Sequence, residues 1–413
     1  MFAKPFLAQL GRGHVDGVYN FAKDPHALER FASGSGDGVV KVWDLTSRDE
    51  LWQTKAHDNI VKGLCFTLDK KLLTCGGVDR TIALHDPYNT ASGSKPISTY
   101  QGKNAFTAIS HHRESQAFAA SHSAGISIYD LSRPTSAPIT NLSWPTSVDT
   151  VSTVSFNLVE TSILASTATD RSITLYDLRT SSPLRRMVLQ HASNAVSWNP
   201  MEAFNFAVAN EDHNVYIFDS RMLGPSTQSS AGQKSVAPRA LNVLKDHVAA
   251  VMDVSFSPTG ENLVTASYDR TIRLWDRNKG HSKDIYHTKR MQRVFCATYT
   301  PDAQYVLSGS DDGNIRLWRA EASSRQGVVN ARQRQALEYG EALKDRYKHM
   351  PEIKRIARHR HLPKTIKKAG EIKGEELKSI KRREENRRKH EKKTVGKDGR
   401  KSEREKMVIA TEG

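Results

Sequence analysis

Histidine, aspartate and hydroxyl side chains recur at a fixed spacing in this chain, and one such set could act as a nucleophilic catalytic triad. Three histidines precede an aspartate by 22 or 23 residues: His14 before Asp37, His57 before Asp79, and His247 before Asp269. A catalytic triad, however, requires a single preorganised constellation in a cleft. Because this set is repeated, it predicts structural hydrogen bonds within a repeated unit, and no catalytic residue.

Two other patterns that could carry chemistry also favour structural interpretations. The segments GSGDG (34–38) and GSDDG (309–313) lack the Gly-Lys-Ser/Thr ending of a phosphate-binding loop and do not open a helix, so they predict hairpin turns. His359 and His361, with His349 nearby, have no cysteine or carboxylate at ligand spacing and lie among cations that repel a divalent ion. We therefore expect no metal ion, no cofactor, no small-molecule substrate and no enzymatic activity.

The turn aspartates belong to a motif that recurs along most of the chain. A ring follows each of them six residues later: Trp43 after Asp37, His85 after Asp79, Tyr176 after Asp170, Phe218 after Asp212, Trp275 after Asp269, and Trp318 after Asp312. A weaker copy places Ser123 at the aspartate position and Tyr129 at the ring position. Seven copies, 42 to 57 residues apart, predict an all-β, seven-bladed WD-repeat β-propeller in which each repeat is one four-stranded blade.

The strands and turns of each repeat must position the histidine and the aspartate. Their spacing resembles the WD-repeat tetrad, in which His, Asp, Ser or Thr, and Trp link the strands of one blade. The last repeat stops after its third strand, at Trp318. We predict that residues 5–11 pair with this final blade and seal the ring, so that no long strand edge stays open. The propeller is assigned to residues 1–319.

Two repeats are irregular. The third, at about residues 101–131, has lost both the histidine and the turn aspartate. Either this blade has drifted neutrally, or its edge binds a partner. The longest spacing, between the rings of the fifth and sixth repeats, contains the Gly/Ser/Pro-rich segment 222–239, which predicts a flexible surface loop.

Charge separates the propeller from the end of the chain. Residues 320–413 contain 28 Lys and Arg against 15 Asp and Glu, so they hold +13 of the net charge of +16. That asymmetry suggests an acidic polymer as partner, most simply nucleic acid. The cysteines, Cys65, Cys75 and Cys296, lie in apolar runs and predict buried, reduced thiols. No run of about 18 apolar residues is present, so we expect no membrane segment.

In the tail, the spacing of apolar residues changes from the period of two that is typical of strands to a helical period. Ala336, Gly340, Leu343 and Tyr347 share one face of a predicted amphipathic helix, which would dock on the propeller or on a partner. A second short helix should begin at Pro351 and end before Pro363. Residues 375–393 are helix-prone but charged nearly all round. The helical, basic tail is assigned to residues 320–393, and residues 394–413 are expected to be disordered.

One basic cluster in the tail predicts an RNA-binding site. Between residues 354 and 368 there are seven Lys and Arg, two His and no acidic residue: Lys354, Arg355, Arg358, His359, Arg360, His361, Lys364, Lys367 and Lys368. Lys and Arg placed on phosphates release counterions, and His can stack on bases. A charged run can also be a merely solvated face, although such a face would mix both signs. The run 381–393 could in addition serve nuclear import.

Two segments of the chain resemble the Sof family of WD-repeat proteins. They are HTKRMQRVFCATYTPDAQYVLSGSDDGNIRLWRA (287–320) and PEIKRIARHRHLPK (351–364). The resemblance implies a nucleolar assembly factor of the small-subunit processome that acts with a guide snoRNP, pre-ribosomal RNA and other processome proteins. Family members also include substrate receptors of cullin-type ubiquitin ligases, which contact the ligase adaptor through a WD-x-Arg signature. Here Arg179 and Arg221 occupy the arginine position without the tryptophan.

Overall fold

The chain forms seven antiparallel sheets, arranged as the blades of a β-propeller, and a helical tail. The computed structural model describes residues 4–88, 95–133, 137–145, 149–223, 239–322, 328–359, 362–390 and 403–412. The predicted architecture, a seven-bladed propeller with an α-helical C-terminal extension, is confirmed. Residues 224–238, the greater part of the segment predicted to be a flexible loop, lie outside the described residues.

In six blades the four strands follow one another along the chain. Strand β1 is Phe6–Gln9. Blade 1 consists of β2 Val18–Lys23, β3 Arg30–Ser35, β4 Val39–Asp44 and β5 Glu50–Lys55. Blade 2 consists of β6 Val61–Phe66, β7 Leu72–Gly76, β8 Thr81–His85 and β9 Ser98–Gln101. Blade 3 consists of β10 Phe106–His111, β11 Ala117–His122, β12 Gly125–Asp130 and β13 Thr140–Leu142. Blade 4 consists of β14 Val151–Phe156, β15 Ile163–Ala168, β16 Ser172–Asp177, β17 Ser182–Leu189.

The remaining blades complete the ring. Blade 5 consists of β18 Ser193–Trp198, β19 Asn205–Asn210, β20 Val215–Asp219 and β21 Asn242–Leu244. Blade 6 consists of β22 Val251–Phe256, β23 Asn262–Ser267, β24 Ile272–Asp276 and β25 Ser282–Tyr286. Blade 7 contains β26 Val294–Tyr299, β27 Tyr305–Ser310 and β28 Ile315–Arg319. A short 3-10 turn, Ser220–Leu223, follows β20. The third repeat, which lacks the histidine and the aspartate, still forms a complete four-stranded blade.

The core lies between adjacent blades, because each sheet packs face to face on its neighbours. Middle strands such as β23 are therefore buried along nearly their whole length, whereas the outer strand β5 is mostly exposed. Trp43 of blade 1, for example, is fully buried and packs with Leu307 and Ile315 of blade 7. This packing explains why the repeated ring residues are large and apolar.

The N-terminal strand β1 supplies the fourth strand of blade 7 and joins the two ends of the propeller. It pairs antiparallel with β28, with Phe6 opposite Trp318, and the two rings meet edge to face with centroids 5.4 Å apart. The backbone N–H of His14 then donates to the carbonyl oxygen of Gly313 at 2.8 Å. Gly13, at φ +67°, allows this approach, because a Cβ there would lie 2.5 Å from the same oxygen.

Antiparallel pairing gives each blade two distinct ends. The loop before the first strand and the turn between the second and third strands lie at one end, which we call the histidine end because it holds His57 with Asp79 and His247 with Asp269. The loops that follow the first and third strands lie at the opposite end. Any residue just after a third strand is therefore on the opposite face of the propeller.

The tail contains α1 Ala331–Tyr347, α2 Pro351–Arg358, α3 Lys364–His390, α4 Glu403–Lys406 and a further strand, β29 Val408–Glu412. The predicted first helix and the predicted short helix from Pro351 correspond to α1 and α2. The third helix is longer than expected: it already begins at Lys364 and includes Gly370 and Gly374. Ile366, in the first turns, is buried beside blade 6, and Lys373, between the two glycines, bonds to the propeller.

The expectation that residues 394–413 are disordered is wrong for residues 403–412. Strand β29 pairs antiparallel with β17, so blade 4 has five strands, with Val188 opposite Ala410. Met407 and Val408 are buried in a core cluster with Leu189 and Trp198. The charge-rich composition hides this short apolar stretch, and the outer edge of β17 offers it unpaired backbone groups. Residues 394–402 and 413 lie outside the described residues.

Candidate nucleic-acid interface

The repeated histidine–aspartate pairs are buried structural links, and blade 6 contains a complete tetrad. His247 Nδ1 lies 2.9 Å from Asp269 Oδ2, and His247 Nε2 lies 2.6 Å from Thr265 Oγ1. Trp275 Nε1–H donates to the same Thr265 hydroxyl at 2.8 Å. Burial lowers the pKa of His247. Since these side chains are at most 8 % exposed, the tetrad joins three chain segments and cannot reach a substrate.

Blade 2 contains the histidine–aspartate pair of the tetrad but lacks the tryptophan. His57 Nδ1 lies 2.5 Å from Asp79 Oδ2, and His57 Nε2 lies 2.9 Å from Thr74 Oγ1. His85 occupies the ring position, 5.7 Å from the ring of Trp52. Neither ring nitrogen of His85 has a hydrogen-bond partner among the described residues, and burial lowers its pKa to about 4. His85 therefore acts here as an apolar ring.

Blade 1 forms only part of the expected tetrad. His14 Nε2 lies 2.7 Å from Ser33 Oγ, to which Trp43 Nε1–H donates at 2.8 Å. Asp37, however, accepts the N–H of Val39 in its own turn at 2.9 Å, and His14 Nδ1 has no partner among the described residues. Burial lowers the pKa of His14 to about 4. The sequence spacing thus located the residues but not their bonding.

The three remaining turn aspartates are paired with side chains of their own blades. Asp170 accepts from Arg186 Nη2 at 2.5 Å, Asp212 accepts from the hydroxyl of Tyr216, and Asp312 forms an ion pair with Arg316. In blade 7 the ring residue keeps the expected contact, because Trp318 Nε1–H donates to Ser308 Oγ at 2.8 Å. A cation or a phenol thus replaces the histidine where the sequence has none.

Helix α3 is fixed to the propeller near the histidine end of blade 6. Ile366 is 8 % exposed, and the N-terminal half of the helix lies beside Val248 and Ile285. Lys373 Nζ donates to the carbonyl oxygen of His247 at 2.7 Å. Burial lowers the pKa of Lys373, whereas the nearby carboxylates of Asp212, Asp269 and Asp246 act in the opposite direction. One side of α3 is therefore docked, and the other faces solvent.

The exposed side of α2 and α3 carries the basic cluster. Six of the nine predicted RNA-binding residues are described and exposed: Lys354, Arg355, His359, Lys364, Lys367 and Lys368. The five lysine and arginine side chains among them form no ion pair with any other residue that the structure describes. The side chain of Arg358 and the residues Arg360 and His361 lie outside the described part of the chain. The structure thus places exposed cations without ion-pair partners on α2 and on the docked helix α3.

The two arginines of the predicted adaptor contact lie at the other face. Arg179 and Arg221 follow the third strands of blades 4 and 5 and are therefore both at the opposite end. Arg221 donates to Asp219 through Nε at 3.1 Å and Nη2 at 2.8 Å, and lies 4.4 Å from the centroid of the Phe204 ring. The Arg179 side chain is 75 % exposed, 3.5 Å from Asp177 Oδ1.

Comparison with known proteins gives a family. A model described as "Sof1-like domain" matches residues 320–408, and one described as "WD domain, G-beta repeat" matches residues 6–44, 49–86, 239–276 and 279–319. Protein SOF1 of Saccharomyces cerevisiae is 48% identical over 436 residues, which cover 100% of this chain and 84% of that protein. This chain belongs to the Sof1 family. The family tail is thus the region that contains α1 to α4.

Other members of the Sof1 family are similarly close. Protein sof1 of Schizosaccharomyces pombe is 50% identical over 409 residues, or 99% of this chain and 88% of that protein. DDB1- and CUL4-associated factor 13 of Xenopus laevis is 44% identical over 414 residues, which cover 99% of this chain and 88% of that protein. The four repeat matches include the first three strands of blades 1, 2, 6 and 7.

In this Sof1-family chain, sequence reasoning missed the contacts that position the tail. Lys373, Ile366 and Lys406, which pairs with Glu384 at 2.9 Å, fix α3 and α4. The available signal was weak: one isoleucine among lysines, and the apolar stretch at residues 407–410. Among the described residues, no three potential metal ligands come together, and no helix is long and apolar enough to cross a membrane. The three cysteines are free, and burial raises their pKa values.

Proposed function

We propose that this protein is a non-enzymatic scaffold and assembly factor of the small-subunit processome, in the nucleolus, where it binds pre-ribosomal RNA, a guide snoRNP and processome proteins. One observation carries the proposal: α3 is docked on the propeller and presents Lys364 and Lys368 to solvent, without ion-pair partners among the described residues. The membership in the Sof1 family supports it.

The charge of the tail favours a polyanion over a protein surface as ligand of the cluster. Each lysine or arginine placed on a phosphate releases counterions, which gives a salt slope of about −0.9 per contact on duplexes and about −0.7 on single strands. A cluster without carboxylates keeps this gain, because no ion pair within the protein must first be broken. Docking of α3 adds to the affinity, since a fixed helix loses less conformational entropy on binding than a free one.

The propeller contributes surfaces for protein partners. It is nearly neutral, with two faces and an outer edge, and its histidine–aspartate links are buried within the blades. Several weak contacts on one chain raise the effective concentration of the partners for one another. The mechanism is therefore positional: the protein holds RNA and proteins in register while the small subunit matures.

A charge-reversal pair tests the RNA-binding part of the proposal. Lys364→Glu with Lys368→Glu should weaken binding of a small-subunit pre-ribosomal RNA transcript by about tenfold or more and reduce the salt slope by about 1.5. The matched control is Lys95→Glu with Lys103→Glu, which makes the same charge change at exposed positions of blade 2. Equal weakening by both pairs, or none by the first, would contradict the assignment.

The second candidate function is a substrate receptor of a cullin-type ubiquitin ligase. Arg179 and Arg221 are exposed at the same end of neighbouring blades, and several relatives are called DDB1- and CUL4-associated factor 13. Because these arginines lie at the end opposite the histidines, adaptor binding and RNA binding would use separate surfaces. The two functions can therefore be separated by mutation.

The arginine pair provides the test of the receptor function. Arg179→Ala with Arg221→Ala should abolish co-purification of DDB1 and leave the affinity for the RNA transcript unchanged. Arg277→Ala, which removes an ion pair of 2.7 Å with Glu202 at the same end of the propeller, serves as the control and should retain DDB1. Retention of DDB1 by the double variant would refute this function.

A further inference from the structure

Helix α1 is fully formed, but the described part of the chain buries none of its residues. It contains 17 residues, all of them described, and none is buried. Most helices in proteins are stabilised by burying one apolar face in tertiary packing, and much less by intrinsic propensity. The sequence left open whether this face docks on the propeller or on a partner. Because the propeller does not bury it, a partner is the remaining possibility.

Apart from Leu337, the large apolar side chains of α1 form one continuous stripe. Tyr339, Leu343 and Tyr347 are spaced at four-residue intervals, and Ala336 and Gly340 lie on the same side of the helix. Tyr339 is 69% exposed, while Leu343 and Tyr347 are each 37% exposed. A stripe of this width matches the face that a helix inserts into an apolar groove.

Three of the four cations of α1 flank this stripe, whereas Arg334 lies on the opposite side of the helix. At 100° per residue, Arg332, Arg346 and Lys344 flank the apolar side. The acidic residues Glu338, Glu341 and Asp345 lie on the far side, where they line a cleft towards α2 together with Lys344 and Lys348. A partner that covers the stripe therefore meets cations at the edges of the stripe. A groove with carboxylates at its rim would complement these cations.

Gly340 adds a second, independent observation. A Cβ at this position would meet nothing within 4 Å, so no contact within the described chain requires a glycine. A glycine inside a helix costs about 1 kcal/mol relative to alanine. Its place in the middle of the stripe fits a site where the backbone of another molecule approaches the helix closely.

We infer that α1 is a helical docking segment that inserts its apolar stripe into a groove on a protein partner, and that this groove is rimmed by Asp and Glu. The two longest undescribed segments of this chain do not supply such an acidic groove, because residues 224–238 have a net charge of +1 and residues 391–402 have a net charge of +3. A second copy of α1 would oppose cations with cations. This interface is separate from the basic cluster, and does not depend on RNA binding.

Photo-crosslinking of the full-length protein in cells tests this docking. Benzoylphenylalanine in place of Tyr339 should crosslink to one protein, at a peptide where apolar residues are flanked by Asp or Glu. The same probe in place of Glu341, on the far side of the helix, should give at least tenfold less of this product. Crosslinks from position 339 to RNA, to a second copy of the chain, to its own propeller or to a basic peptide would overturn the inference, as would their absence.

A glycine substitution then separates helix stability from docking. Gly340→Ala should increase helix content but lower the crosslinking yield from position 339 by about tenfold, because the added methyl group blocks close approach. Gly374→Ala in α3, where a Cβ also meets nothing within 4 Å, is the matched control and should leave the yield unchanged. A yield from Gly340→Ala equal to or above that of the parent protein would overturn the close-packed interface.

Discussion

The ammonium group of Lys373 donates a hydrogen bond of 2.7 Å to the carbonyl oxygen of His247, whose imidazole belongs to the buried tetrad of blade 6. The tail helix is thus connected to a buried, hydrogen-bonded part of the propeller. A hydrogen bond to a charged group contributes about 1.5 to 3 kcal/mol when it is shielded from water. We expect this contact to set the position of the basic cluster on the propeller.

Replacing Lys373 should release the N-terminal half of α3. Lys373→Met keeps the length of the side chain but removes the donor, so amides of residues 364–374 should exchange with deuterium about tenfold faster or more. Lys378→Met, at an exposed position further along the same helix, is the control and should leave exchange unchanged. If both variants exchange alike, the bond to His247 does not hold the helix in place.

The C-terminal strand should depend on the buried side of β29. Val408 is 8% exposed and Ile409 is 58% exposed, so Val408→Asp places a carboxylate in the core whereas Ile409→Asp places one in solvent. The N–H of Gln190 donates to the carbonyl oxygen of Met407 at 3.1 Å and reports on this pairing. Its exchange should rise at least tenfold in Val408→Asp and less than twofold in Ile409→Asp. The reverse order would show that β29 is not paired as described.

Ring closure should depend on Leu10, the buried residue that directly follows β1. Leu10 is fully buried in the cluster between blades 1 and 7, and Leu10→Ala should lower the free energy of unfolding by about 2 to 5 kcal/mol. Gln9→Ala, at an exposed neighbouring position, should cost less than about 0.5 kcal/mol. Deleting residues 1–12 should lower the melting temperature and promote association through the open edge of β28. An unchanged melting temperature would refute closure by β1.

Buried histidines should make the propeller less stable in mild acid. Burial lowers the pKa of His14 and of His85 from 6.5 to about 4, so between these values the unfolded chain binds more protons than the folded one. Stability is therefore lost as the pH falls through this window, by about 2 kcal/mol for each histidine at pH 5. His85→Phe should reduce the loss between pH 7 and pH 5 by that amount in urea unfolding. An equal loss in parent and variant would contradict a buried, neutral His85.

The repeat motif was sufficient to predict the propeller, because the spacing of the turn aspartates and the rings is a property of each blade alone. The open third strand at Trp318 also predicted where residues 5–11 must lie, since a closed ring leaves one vacant edge. The basic cluster could be read from the absence of carboxylates between residues 354 and 368. The sequence did not predict hydrogen bonds that depend on exact geometry. Asp37, for example, accepts a bond from its own turn instead of pairing with His14.

The sequence by itself determined the number of blades, the residues that link their strands and the segregation of positive charge into the tail, because each follows from local periodicity or composition. Only the tertiary structure decided that α3 lies against blade 6, that β29 adds a fifth strand to blade 4, and that α1 stays uncovered. Those placements depend on contacts such as Val188 with Ala410, between residues far apart in the chain. Such contacts leave no periodic signal, since a strand edge accepts any short apolar segment that can reach it and pair.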